Sequence, residues 1–179
     1  MGDTDPCEDP AHAIVTTVMA ALRSAYSTAS SCPVDGAVDA PTVRFFVSEG
    51  TPLAAWDAFL ANGSADCTQP FLWVRLSSRF RSSDFPSAEL NPGNCTGVRV
   101  VELEVGVGRC LNLGVQTDWD TLAREASRGM DDSFRIERVL NRCAAVFHTE
   151  GKLAATDTLV PYGPDGGISA WSGGLFVGF

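Results

Sequence analysis

Apolar positions along this chain switch between two periods, and the switches mark its elements. Ile14, Val18, Leu22 and Tyr26 recur every four residues, with Val15 and Met19 widening the stripe, which is the spacing of one helix face. Asp9 is a good N-cap and Pro10 suits the first helical position, where its missing N–H costs nothing. This helix is expected to run to about Ser30, before Pro33. A turn-rich stretch, 32–40, then leads to a short strand from Thr42 to Val47. Trp56, Phe59 and Leu60 fit a brief helical turn after Pro52. From Phe71 to Arg81 the period is two: Leu72, Val74, Leu76 and Phe80 alternate with Trp73, Arg75, Ser77 and Arg79. Gly97 to Cys110 is the clearest strand, with Val101, Leu103, Val105 and Val107 toward a core and Glu102, Glu104, Gly106 and Gly108 toward water.

The helical period returns between Asp118 and His148, but in two phases. Trp119, Leu122, Ala123, Ala126 and Met130 form one stripe; Ile136, Val139, Leu140, Cys143, Val146 and Phe147 form another, rotated from the first. Gly129 and the Asp131-Asp132 pair sit at the phase change, so the pattern predicts a break, with one aspartate capping a second helix. A loop, 149–158, leads to the turn chemistry of Gly163-Pro164-Asp165-Gly166-Gly167. Trp171, Leu175, Val177 and Phe179 then alternate with smaller residues, as in a covered sheet strand.

A chain of 179 residues with 45% apolar content has the size of one core, so a single domain, 1–179, is expected, with residues 1–9 as a flexible acidic N-terminus. The formal charge of −9, part of it in Asp3, Asp5, Glu8 and Asp9, argues against a protein that grips nucleic-acid phosphates. Cys7, Cys32, Cys67, Cys95, Cys110 and Cys143 contain no C-x-x-C pair, which leaves a zinc site without support. No apolar signal region follows Met1 and no run is long enough to span a bilayer, so assembly in the cytoplasm with free or mostly free thiols is expected. The sequons at Asn62 and Asn94 matter only in a secretory pathway.

Candidate chemistry is sparse. Glu102 and Glu104, two apart on one strand, place carboxylates roughly 7 Å apart, a spacing that suits acid–base work but also a solvated strand face. Cys143 and His148 are five apart, whereas helix neighbours are three or four apart. The glycine-rich turn lacks the Gly-Lys-Ser/Thr ending of a phosphate cradle and precedes a strand; no G-x-S-x-G or H-E-x-x-H occurs. No catalytic, cofactor-binding or metal residue is assigned, and an enzyme is not expected.

A capped helix, the Leu72-Trp73-Val74-Arg75-Leu76 strand, the Glu102-Leu103-Glu104-Val105-Gly106-Val107-Gly108-Arg109-Cys110 strand, a broken helix and the Gly163-Pro164-Asp165-Gly166-Gly167 turn before a terminal strand follow in that order. This order resembles the tail-terminator, or tail-completion, proteins of long-tailed siphophages, particularly those infecting actinobacteria. The likeness departs at Asp165-Gly166-Gly167-Ile168, where another Cys or Gly is expected after the glycines, and in the apolar tail to Phe179. It implies an α+β fold, a small mostly antiparallel sheet of about four strands with helices packed on one face. It also implies a virion structural protein of the neck: a hexameric ring that caps the tail tube, ends its polymerisation and joins it to the head connector. The implied partners are its own copies, the major tail tube protein and the head-side stopper, with genomic DNA sliding through the lumen, no membrane and no cofactor. An acidic wall lets DNA pass without sticking, which makes Glu102 and Glu104 candidate channel-lining residues. Phe85, Pro86, Trp171, Leu175 and Phe179 are candidate subunit or ring contacts. Two alternatives stay open: a head-side stopper or adaptor of the same neck, and a secreted binding domain stapled by disulfides.

Overall fold

A computed structural model describes residues 9–61, 63, 67–88, 97–111, 118–165 and 167–179, without the side chain of Phe59. Asp3, Asp5, Glu8, Cys7, Cys95, Pro92, Gly93, Gly166 and the sequon residues Asn62 and Asn94 lie outside the described residues. The fold is α+β. Among the described residues three helices, α1 (Ala11–Ala25), α2 (Leu53–Ala61) and α3 (Trp119–Thr149), accompany six strands: β1 (Val43–Val47), β2 (Phe71–Ser82), β3 (Val98–Cys110), β4 (Leu153–Thr156), β5 (Val160–Asp165) and β6 (Ile168–Gly178). The sheet order is β1-β2-β3-β6-β4, with β5 also paired to β6. The sheet is mixed, because β1 joins β2 in parallel while the other pairs are antiparallel.

α1 starts as its sequence dictates: Asp9 Oδ1 accepts the Ala11 N–H at 3.0 Å. It stops at Ala25, short of Ser30, because Tyr26 leaves the helical conformation and Ser27 pairs with Val38. α1 and α3 lie on one face of the sheet, where Ile14, Val18 and Leu22 meet Val101, Leu103, Val105, Ile136, Leu140 and Leu175. The terminal strand is covered as its alternation predicts: Leu175 and Val177 are core, and Trp171 and Phe179 pack against it.

The opposite face differs from the wet surface expected of it. α2 covers its β1 end, and Leu53, Trp56, Phe71, Trp73, Ile168 and Ala170 form a second, smaller core there. Gly106 and Gly108 are explained by this layer. A side chain at Gly106 would collide with the Trp73 indole, and a Cβ at Gly108 would lie 2.8 Å from Trp56. The helices are thus divided between both faces, two on one and α2 on the other.

Three further expectations are corrected. The register slips between Leu76 and Ser78, so that Phe80 pairs with Val100 and Arg79 with Val101. One extra residue reverses the facing of all that follow, so Phe80 leaves the Leu72 face and meets Phe176, while Arg79 reaches Asp9 beside α1. The segment after α3 is not all loop, because β4 pairs there with the end of β6. Finally, α3 is one helix of 31 residues without a break. Gly129 lies against Trp171, where a Cβ would sit at an ordinary contact distance of 3.4 Å from Nε1, and Asp132 is buried in mid-helix rather than capping anything.

Candidate functional site

The β2–β3 register sets Arg75 opposite Glu104 and Trp73 opposite Gly106. Glu104 is only 8% exposed: one carboxylate oxygen accepts from Trp73 Nε1 at 3.2 Å, and the other pairs with Arg75, whose Nε donates at 2.6 Å. Arg75 also donates to the Ser48 carbonyl at 2.9 Å, which ties the end of β1 to the pair. Its charge is therefore matched within the chain, and Glu104 acts as a clamp between strands. Glu102 is half-buried on the same face and accepts from Ser78 Oγ at 2.6 Å. The two carboxylates share a face as predicted, but Arg75 and Trp73 occupy the one that acid–base chemistry would need free.

A second polar node sits where α3 crosses the end of β3. Tyr26, fully buried, donates through its hydroxyl to Asp132 Oδ1 at 3.2 Å. Arg109 holds the same carboxylate by two bonds, through Nε and, at 3.0 Å, through NH2, and donates to the Asp35 carbonyl at 3.0 Å. Burial, reinforced by the Asp132 charge, raises the Tyr26 phenol well above its ordinary range and keeps it protonated. Burial alone would depress Arg109, but its hydrogen bonds and attraction to Asp132 raise it, so the guanidinium stays charged. Arg135 closes the group, stacking over Tyr26 and donating to the Ala25 and Cys32 carbonyls. A cleft of 440 Å³ opens beside it, lined by Asp35, Arg109, Arg124, Arg128 and Asp132 among others. Within it Asp35 pairs with Arg128 and Asp132 with Arg109, and the Ser127 hydroxyl donates to the Ala123 carbonyl.

The remaining candidates are separated. Cys143 is buried, which pushes its thiol up to about 11 despite the nearby Arg142, whereas His148 is exposed. His12 is exposed on α1. Among the described residues no three His, Cys, Asp or Glu side chains converge as metal ligands. Phe85 is half-buried and Pro86 exposed; Trp171 and Phe179 are half-buried, with Arg99 over the Phe179 ring. Leu175 lies in the core, where a neighbouring subunit cannot reach it.

The cysteines correct the free-thiol expectation in part. Cys67 and Cys110 form a disulfide across 43 residues with Cα atoms 5.5 Å apart, while Cys32 and Cys143 are free. In the loop-entropy model such a link contributes about 4 kcal/mol. It fastens the segment after α2 to the end of β3, beside Arg109.

What the molecule leaves unsatisfied is surface. Phe45 and Val47 are exposed on β1, and Leu153, Val160 and Tyr162 on β4 and β5; these strands form the two margins of the sheet. Trp119, Met130 and Phe134 are 80%, 70% and 60% exposed on α3. Five of the chain's 13 basic residues, Arg124, Arg128, Arg135, Arg138 and Arg142, fall within about 80° of arc along α3. Their spacing of three, four and seven made this row readable from sequence. No helix among the described residues is long and apolar enough to cross a membrane. No protein-family model matches this chain, and no curated protein matches it.

Proposed function

We propose that this chain is a structural subunit of the neck of a long-tailed phage, a tail terminator whose ring caps the tail tube and joins it to the head connector. The observation that carries this reading is exposed apolar surface on opposite margins: Phe45 and Val47 at the β1 edge, Leu153, Val160 and Tyr162 at the β4–β5 edge. Open strand edges of this kind invite pairing with another chain. Two different margins meet head to tail, and such a contact makes a closed ring when the rotation closes. The order of motifs, from the Leu72-Trp73-Val74-Arg75-Leu76 strand to the Gly163-Pro164-Asp165-Gly166-Gly167 turn, resembles tail terminators and supports the same reading. So does the polar chemistry, which is committed to holding elements together: Glu104 to Arg75, Asp132 to Arg109. For a DNA-lined lumen, Glu102 is the better candidate of the two carboxylates, since Arg75 neutralises Glu104.

A stop codon early in this gene should give overlong tails and separate, DNA-filled heads, and purified protein added to fresh extracts should restore joining. Detached tails of normal length would instead assign the chain to the stopper or adaptor. Normal infectious particles would overturn a neck role. The Cys67–Cys110 bond favours a second reading, a secreted disulfide-stapled binding domain, because such bonds persist in oxidising compartments. A thiol count on the denatured, unreduced protein separates the two: a Cys67–Cys110 bond intact in the isolated protein favours secretion, whereas reaction of most of the six thiols, Cys67 and Cys110 included, favours the phage subunit.

A further inference from the structure

The N-terminal half of α3 carries a helical stripe that no described residue of its own chain buries. Trp119, Ala123, Ala126, Met130 and Phe134 fall within about 80° of arc and run about 22 Å along the helix. All five are exposed, although their spacing is that of a packed face. The arginine row lies along one side of this stripe, on an arc shared with the exposed Asp120 and Asp131; Arg128 is paired with Asp35 and Arg135 is held by the Ala25 and Cys32 carbonyls, so Arg124, Arg138 and Arg142 are the positive charge this edge presents. Arg124 and Arg138 stand toward its two ends, and Arg138 covers the Phe134 ring.

The matching surface is on the far margin of the same molecule. α3 packs over β6 and β4, whereas β1 is the opposite edge of the sheet, reached by α1. Phe45 and Val47 share the side of β1 that bears Val43, which is buried in the helix-side core; Phe45 is 41% and Val47 69% exposed. Acidic residues bracket this strand: Asp39 precedes it and Glu49 follows it, both exposed. Arg44, the basic residue of β1, is turned away over the Phe71 ring on the other face.

We infer that the exposed stripe of α3 in one copy docks on the β1 margin of the next, with the arginine row against Asp39 and Glu49, so that the helix layer continues from subunit to subunit. This contact rests on the ring proposed above and adds α3, which packs over β6 and β4, to the margin that meets β1. The two patches are different and lie on opposite sides, as a head-to-tail ring requires.

The test is the native mass of the purified full chain, by mass photometry or native mass spectrometry, for three forms. The wild type should appear as a multiple of its 19.0 kDa chain. Arg124→Glu/Arg138→Glu makes both surfaces acidic, and Asp39→Arg/Glu49→Arg makes both basic, so each variant alone should be monomeric. Mixed in equal amounts, the two should assemble again in even-numbered rings, since every contact then joins opposite charges. Recovery on mixing also establishes that both variants fold. Variants that retain the wild-type mass would overturn the contact and leave the ring reading standing, as would monomeric variants that keep wild-type circular dichroism yet fail to assemble when mixed. A wild type that is monomeric at all concentrations, alone and with tail tubes, would overturn both.

Discussion

The two halves of α3 have the same periodicity and opposite fates. In the C-terminal half, Ile136, Val139, Leu140, Cys143 and Phe147 are buried against β6, β4 and α1. In the N-terminal half, Trp119, Ala123, Ala126 and Met130 keep an equally regular spacing and stay in water. Propensity and period do not distinguish them. The difference is phase: the first stripe is rotated by about a third of a turn from the second, so one straight helix cannot bury both against the same sheet. Apolar periodicity therefore reports that a face is to be covered without saying by what. Here one half builds the core, and the other is the face proposed above for docking.

Breaking the buried half should have the largest effects. Asp132 joins the halves, and Asp132→Ala leaves Arg109 without its carboxylate and Tyr26 without its acceptor. Loss of a buried partner of this kind costs about 3 to 5 kcal/mol, to be read from urea denaturation of the isolated chain. Leu140→Ala should cost about 2 to 5 kcal/mol in the same measurement, since Leu140 fills the space against Gly173 and the surrounding core cannot collapse around the hole.

The third prediction concerns pH. Burial lifts the Cys143 thiol from 9.0 to about 11. A group whose folded value is raised stabilises the fold fully below its unfolded value and loses that contribution as pH climbs to the folded one. Stability should therefore decline between about pH 9 and 11, by an amount on the order of 3 kcal/mol for this group. Cys143→Ala should flatten that part of the profile, whatever it costs in packing. Tyr26, raised for the same reason, steepens the decline further into alkali in both proteins.

The exposed half should give the smallest effect on the single chain. Trp119→Ser with Met130→Ser should change the stability of the dilute monomer by about 0.5 kcal/mol or less per site, because neither side chain is buried there. A loss comparable to that of Leu140→Ala would erase the distinction between the halves.

Much of this was legible in the sequence. The alternation of Val101, Leu103, Val105 and Val107 gave both a strand and its buried face, and the two phases of α3 were visible as two stripes. The expected break rests on Gly129 and the capping preference of the Asp131-Asp132 pair at the phase change, and neither interrupts the helix. Asp132 keeps helical phase with Ile136, Val139 and Cys143, a sign that it belongs to the buried side rather than to a cap. Other features could not be read. The bulge after Leu76 occurs at a serine with no glycine to announce it, and it reverses Arg79 and Phe80. The burial of Glu104 depends on register, which places Arg75 and Trp73 across from β3; from β3 alone, a carboxylate next to glycines reads as wet. The short strand β4, with Ala154 and Ala155 at its centre, has little periodicity to detect.

The division of α3 is tested most directly by hydroxyl-radical footprinting of Trp119 and Met130 in the dilute monomer and in the assembled ring. Trp56 and Trp73, buried under α2 and the sheet, serve as internal references that stay protected in both states. Trp119 and Met130 should be heavily oxidised in the monomer and strongly protected once the proposed ring has formed. Equal oxidation in the two states would contradict this expectation, because the stripe would then remain in water after assembly.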